Sequence, residues 1–221
     1  MKLLNVSLTT ACNKHCYYCP IKKWLRPKGY KYPKERTLDN ESLLSYFDEY
    51  IDNDCFIEYS GGEPALYKGI EKLIKETCKK GYHGIIKTNG SLYIPKSKNF
   101  KRVAAWHYGE RIPKYYDEIL IIENPRDIWK DKAEYCKRKT IPYKTVLFDQ
   151  GFEGVFFDNE RLSDHKVSEY LHINNVGQIF PCPRGKTFTS IYDMIPPVFS
   201  KPCDKCKNIN DVELFIDKDA P

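Results

Sequence analysis

Short apolar runs alternate with longer amphipathic stretches from Leu3 to Phe148, and this rhythm leaves few architectures open to the chain. Strands joined through helices run parallel, because a crossover of that length returns the chain to the same end of the sheet, nearly always with a right-handed turn. Strands are expected over residues 3–8, 55–59, 84–88, 103–106, 118–122 and 144–148. Between them, Asp39 is placed to cap a helix that carries Leu43, Leu44, Phe47 and Ile51 on one face. Residues 70–80 read as a second amphipathic helix stopped by Gly81, and 125–139 as a third, with Ile128, Trp129, Ala133 and Cys136 facing inward. Six strands fall short of the eight that close a full barrel, so the expected fold is α/β, a partial (β/α)6 TIM-like barrel over residues 1–150. Beyond residue 150 the rhythm breaks. A hairpin over 170–180, turning at Asn175-Val176-Gly177, marks residues 151–221 as a separate small C-terminal module.

Nine cysteines dominate the chemistry of the chain. Its longest apolar runs, such as 119–122, are far short of the roughly 20 residues that span a bilayer. Asn5, Ser7 and Thr9 interrupt the apolar core that a secretory signal would need near the start. The expected compartment is therefore the cytoplasm, where thiols stay reduced, and an odd number of cysteines also speaks against a disulfide framework. Six of the nine fall in two clusters, Cys12, Cys16 and Cys19 near the start and Cys182, Cys203 and Cys206 near the end, as metal or redox cysteines do. Cys55, Cys78 and Cys136 are scattered and read as small buried hydrophobes. A net charge of +6 is too small for a nucleic-acid footprint.

The first cluster spaces its thiols as C-x3-C-x2-C on the loop after the first expected strand. Three soft thiolates hold three irons of a [4Fe–4S] cubane and leave the fourth iron open to a chelating ligand. Structural zinc is the competing reading, but it wants four ligands, and only His15 is a local fourth.

This loop resembles the signature of the radical S-adenosylmethionine enzymes, in which an aromatic residue precedes the third cysteine, here Tyr18. The resemblance extends to Gly61-Gly62-Glu63-Pro64 after the second expected strand, which matches the GGEP motif that binds the methionyl amino group in that family. Two motifs in the correct order, each at the carboxyl end of a strand, are far more specific than either alone. Gly61 and Gly62 would let backbone approach a ligand closely, and Glu63 would supply the charge that pairs with an ammonium group. Thr88-Asn89-Gly90 resembles a TNG turn of the same family, which would bring Asn89 near the cofactor; an ordinary turn is the other reading. His107, at the end of the fourth expected strand, stands where barrel enzymes keep ligand-contacting side chains, or else is a packing or surface histidine.

Gly177 through Cys182, followed by Cys203-Asp204-Lys205-Cys206, resembles a reduced SPASM or twitch module with its G-x4-C and C-x2-C elements. A cysteine expected before the glycine is missing. An auxiliary [4Fe–4S] cluster on Cys182, Cys203 and Cys206 would have an open iron or borrow His165, His172 or Asp204; structural zinc and unligated thiols are the alternatives. Arg184 is placed to meet an anionic substrate, or is a surface arginine.

The resemblance implies reductive cleavage of S-adenosylmethionine to a 5′-deoxyadenosyl radical that abstracts hydrogen from a C–H bond. It also implies an electron donor such as flavodoxin or ferredoxin. The appended module favours a peptide or protein substrate, with a nucleotide-like or other small molecule as the alternative. An iron–sulfur electron carrier or a zinc-stabilised binding module would explain the cysteines but leave Gly61 to Pro64 without a role.

Overall fold

The computed structural model describes residues 2–14, 16, 37–106, 111–123, 128–147, 169–180 and 189–199. Strands β1 (Lys2–Thr9), β2 (Phe56–Gly61), β3 (His83–Thr88), β4 (Phe100–Trp106), β5 (Glu118–Glu123) and β6 (Tyr143–Leu147) pair in chain order, each parallel to the next. β4 starts at Phe100, earlier than the apolar pattern suggests, because Lys101 and Arg102 interrupt the run without ending the strand. The expected hairpin forms as β7 (Glu169–Ile173) and β8 (Gln178–Phe180), followed by β9 (Thr189–Ser190). β7 pairs parallel with the free side of β1, so one sheet of order β6-β5-β4-β3-β2-β1-β7-β8-β9 runs through both parts of the chain.

Helix α1 (Asn40–Tyr50) begins where Asp39 accepts a hydrogen bond from the Ser42 N–H at 2.7 Å, as expected of an N-cap. It buries Leu43, Leu44, Tyr46 and Phe47. α2 (Ile70–Lys79) buries Leu73, Ile74 and Thr77 and ends in a Schellman closure, with Tyr82 N–H donating to Thr77 O and Gly81 N–H to Cys78 O. Tyr82 then donates its hydroxyl to Phe47 O and Ile51 O, satisfying carbonyls at the end of α1. These helices cover one face of the sheet, where Leu4, Val6, Leu8, Ile57, Tyr59 and Ile86 join them in the main core.

α3 (Trp129–Arg138) starts later than expected and is turned differently. Ala133 and Cys136 are buried as anticipated, but Ile128 is 63% exposed and Lys132 only 3%. Lys132 lies over the Trp106 ring and donates to Trp106 O at 3.3 Å, so its stem packs while its ammonium is satisfied at the end of β4. The β3-to-β4 connection, residues 89–99, contains no helix. Arg102 organises it instead: its guanidinium grips Asp117 through two bonds at 2.9 and 2.8 Å and donates to Ile94 O and Tyr116 O.

Candidate functional site

The cysteine loop and the Gly61-Gly62-Glu63-Pro64 turn meet at the carboxyl edge of β1 and β2, bound backbone to backbone. Gly62 N–H donates to Thr9 O and Glu63 N–H to Ala11 O, both at 2.7 Å. The two glycines permit this contact. Gly61 has φ +120°, and a Cβ there would stand 2.6 Å from Thr9 O; a Cβ on Gly62 would stand 2.1 Å from Ala11 O. The close approach expected toward a ligand is thus made, in this structure, toward the chain's own cysteine loop. Thr9 Oγ1 also accepts the Ala11 N–H, and the Lys14 N–H donates to Cys12 Sγ at 3.4 Å.

Cys12 and Cys16 are half-buried. An amide donor on a thiol sulfur stabilises its thiolate form, and soft thiolates suit iron–sulfur clusters better than hard cations, so these two side chains fit the proposed centre. Among the described residues no three His, Cys, Asp or Glu side chains gather as a metal site, the loop's third thiol, Cys19, lying outside them.

Glu63 is fully buried, and its carboxylate accepts from Thr88 Oγ1 at 2.6 Å, the Asn89 N–H at 2.7 Å and the Ala65 N–H at 3.1 Å. Burial pushes its pKa up, while the donors from Asn89, Thr88 and Ala65 pull it down. Glu63 thereby clamps the end of β3 to the turn after β2. Asn89 is equally committed. Its Nδ2 donates to Asn13 Oδ1 at 2.9 Å, and its Oδ1 accepts from the Ser91 N–H and hydroxyl at 3.0 and 2.5 Å. Asn13 Nδ2 in turn donates to Ser91 Oγ at 2.9 Å. Neither Asn13 nor Ser91 stood out in the sequence, because partners 76 and 78 residues apart leave no local signal.

The sheet face opposite the helices mixes buried apolar residues such as Leu3, Ile85 and Val103 with polar ones. Strand alternation and register put Asn5, Glu58, Lys87, Lys101, Glu118, Lys144 and His172 on it. Lys87 pairs with the buried Glu58 at 3.1 Å, and Lys101 with Glu118 at 3.2 Å. His172 Nδ1 lies 2.6 Å from Asn5 Oδ1, which also accepts from Ser60 Oγ at 3.4 Å. A carboxamide oxygen only accepts, so Nδ1 carries the proton, and burial pulls the imidazole pKa down to about 4.

A profile of the Radical SAM superfamily matches residues 6–148, which takes in the end of β1, the cysteine loop, the GGEP turn and strands β2 to β6. The chain belongs to the radical SAM superfamily. Among curated relatives, it is 30% identical to the GTP 3′,8-cyclase of Campylobacter jejuni subsp. doylei over 155 residues, covering 69% of this chain and 41% of that protein. The GTP 3′,8-cyclase of Helicobacter pylori (strain ATCC 700392 / 26695) is 23% identical over 181 residues, covering 76% and 55%. The chain thus spans about two-fifths to just over half the length of these relatives. In fold it is similar to SuiB of Streptococcus suis bound to S-adenosylmethionine, with a TM-score of 0.62 at 13% identity over 86% of this chain and 63% of that one. It is also similar to anSMEcpe with bound AdoMet and a peptide, with a TM-score of 0.59 at 14% identity over 87% and 78%. The partial-barrel expectation stands.

Of the residues singled out in the sequence, the structure brings Cys12, Cys16, Gly61, Gly62, Glu63 and Asn89 to one edge of the sheet, and no helix among the described residues is long and apolar enough to cross a membrane. Tyr18, Cys19, His107, Cys182, Arg184, Cys203 and Cys206, together with His15, His165 and Asp204, lie outside the described residues.

Proposed function

We propose that the chain is a radical SAM enzyme acting on a C–H bond of a peptide or protein substrate. The observation that supports it best is the strapping of Gly61 to Glu63 onto the cysteine loop, which brings the two motifs of the superfamily into contact at the carboxyl edge of the sheet. A [4Fe–4S] cluster on Cys12, Cys16 and Cys19 would supply the electron that cleaves S-adenosylmethionine to methionine and a 5′-deoxyadenosyl radical. The chain's own residues then bind and orient. Glu63 has three of its acceptor positions filled by Thr88, Asn89 and Ala65, and the remaining one is the proposed partner of the methionyl ammonium, with Gly61 and Gly62 holding the turn against the loop. Tyr18 and Asn89 complete the proposed cofactor environment, and His107 and Arg184 are the proposed substrate-contacting residues. An auxiliary [4Fe–4S] cluster on Cys182, Cys203 and Cys206, within a C-terminal module over 151–221, is part of this reading, as is an electron donor such as flavodoxin or ferredoxin.

The same chemistry on a nucleotide is the second reading. It is favoured by the likeness to GTP 3′,8-cyclases.

Anaerobic reconstitution with iron and sulfide tests the proposal. About eight irons per chain, falling to about four in Cys12→Ala/Cys16→Ala, are expected for two cubanes. 5′-Deoxyadenosine formation should vanish in that variant. Protein that takes up zinc and neither binds nor cleaves S-adenosylmethionine overturns the reading. A product formed from GTP, with peptides inert, replaces the first substrate class by the second.

A further inference from the structure

We propose that Asn13, Asn89 and Ser91 form a clasp that sets the position of the cysteine loop, and that Asn89 is a positioning residue rather than a direct ligand of the cofactor. The inference rests on the radical SAM reading above and departs from the role that resemblance assigns to Asn89.

The three side chains close a ring. The Asn13 amide donates to Ser91 Oγ, the Ser91 hydroxyl donates to Asn89 Oδ1, and the Asn89 amide donates back to Asn13 Oδ1. Each group gives one hydrogen bond and receives one, all pointing the same way round, an arrangement in which each bond polarises the next. The ring leaves Asn89 little to offer a ligand. Both lone pairs of Oδ1 are used by the Ser91 N–H and hydroxyl, one Nδ2 hydrogen by Asn13, and the backbone N–H by Glu63. Among the described residues, one amide hydrogen of Asn89 stays uncommitted, and Asn89 is 8% exposed.

What the ring joins gives it its purpose. Asn13 follows Cys12 directly and precedes Cys16, whereas Asn89 and Ser91 lie just beyond the end of β3. The backbone bonds from Gly62 and Glu63 hold the loop only as far as Ala11. The ring holds the next stretch, between the two thiols. Glu63 ties the same Asn89 to the GGEP turn, so the loop, the turn after β2 and the end of β3 form one connected polar unit. A cluster held by three thiolates needs their spacing kept within a fraction of an ångström, and side chains on a rigid strand end can supply that.

Asn13→Ala, Asn89→Ala and Ser91→Ala would be compared with Ser91→Thr, which keeps the hydroxyl. In the metal-free protein, amide exchange over residues 9–16 should rise about fivefold in each alanine variant, as loss of one to two net hydrogen bonds implies, and stay near wild type in Ser91→Thr. After reconstitution, all three alanine variants should shift the reduced-cluster electron paramagnetic resonance signal and its midpoint potential in the same direction, with iron content retained. The Asn13→Ala/Ser91→Ala double variant should do little more than either single one. If only Asn89→Ala alters the spectral response to S-adenosylmethionine, while Asn13→Ala and Ser91→Ala match wild type in exchange and spectrum, Asn89 is a direct ligand and the clasp is overturned. Failure of the radical SAM reading looks different: the reconstituted wild type itself would show no response to S-adenosylmethionine.

Discussion

At the residue scale, the chain spends its polar side chains on fixing backbone. Glu63 is the clearest case, since removing its carboxylate would leave the hydroxyl of Thr88 and the N–H of Asn89 buried without an acceptor, and the half-buried N–H of Ala65 without its partner. Glu63→Ala is expected to cost about 3 kcal/mol by urea unfolding and to abolish cofactor binding, more than a surface glutamate of equal charge would. Gly62→Ala should act through shape alone: a Cβ 2.1 Å from Ala11 O must displace the cysteine loop. We expect it to lower iron uptake on reconstitution while costing about 1–3 kcal/mol of stability. His172 gives a pH dependence whose sign is set by its depressed pKa. Between the ordinary value of 6.5 and about 4 the unfolded chain binds a proton that the native chain does not. Stability contributed by the neutral ring is therefore complete above pH 6.5, declines as the pH falls through that window, and changes no further below about 4. The loss amounts to about 3 kcal/mol. Urea midpoints measured across this range should decline more steeply in the wild type than in His172→Gln, and parallel curves would refute the assignment.

At the scale of elements, caps and strand positions were legible locally, and long-range ties were not. Asp39 as N-cap, the stop at Gly81 and the strand positions follow from spacing within a few residues. The orientation of α3 does not. Its apolar pattern points Ile128 inward, yet the structure buries Lys132, because Trp106 and its carbonyl supply both an aromatic face and an acceptor for an ammonium that sequence reasoning assigns to solvent. Arg102 is similar. It ties the segment between β3 and β4 to the residues leading into β5, so Arg102→Ala should cost about 3 kcal/mol by leaving two carbonyls without their donor and Asp117 with only the backbone N–H of residue 102. Thermal unfolding would check this, and a loss below about 1 kcal/mol would mean that Asp117, which is partly exposed, is solvated without it.

At the scale of the whole molecule, the sheet does not end where the barrel rhythm does. β7 lies along β1 in register from Lys2 opposite Glu169 to Val6 opposite Ile173, and Leu171, Ile173, Ile179 and Ile191 belong to the same core as the first helices. Gly177, with φ +79°, turns the chain beneath Ile191 and Tyr192, where any Cβ would collide at 2.7–2.9 Å. The glycine of the G-x4-C pattern therefore has a packing role. A chain ending at residue 150 would expose the edge of β1 and lose those four isoleucine and leucine side chains from the core. It is expected to be insoluble or to unfold without a cooperative transition, whereas two independent units would leave residues 1–150 soluble and cooperatively folded; circular dichroism on the truncated chain distinguishes them.

The sequence by itself determined the fold class and the two ends of the site: strand and helix periods are local properties, and the C-x3-C-x2-C and GGEP motifs are short enough to be read without neighbours. Tertiary structure alone decided what those motifs touch. Gly61 and Gly62 face the cysteine loop, Glu63 and Asn89 are held by the chain's own donors and acceptors, and the C-terminal hairpin joins the barrel through β1. Each of these contacts spans dozens of residues, and hydrogen bonds between distant side chains depend on where the backbone puts them, which no period in the sequence records.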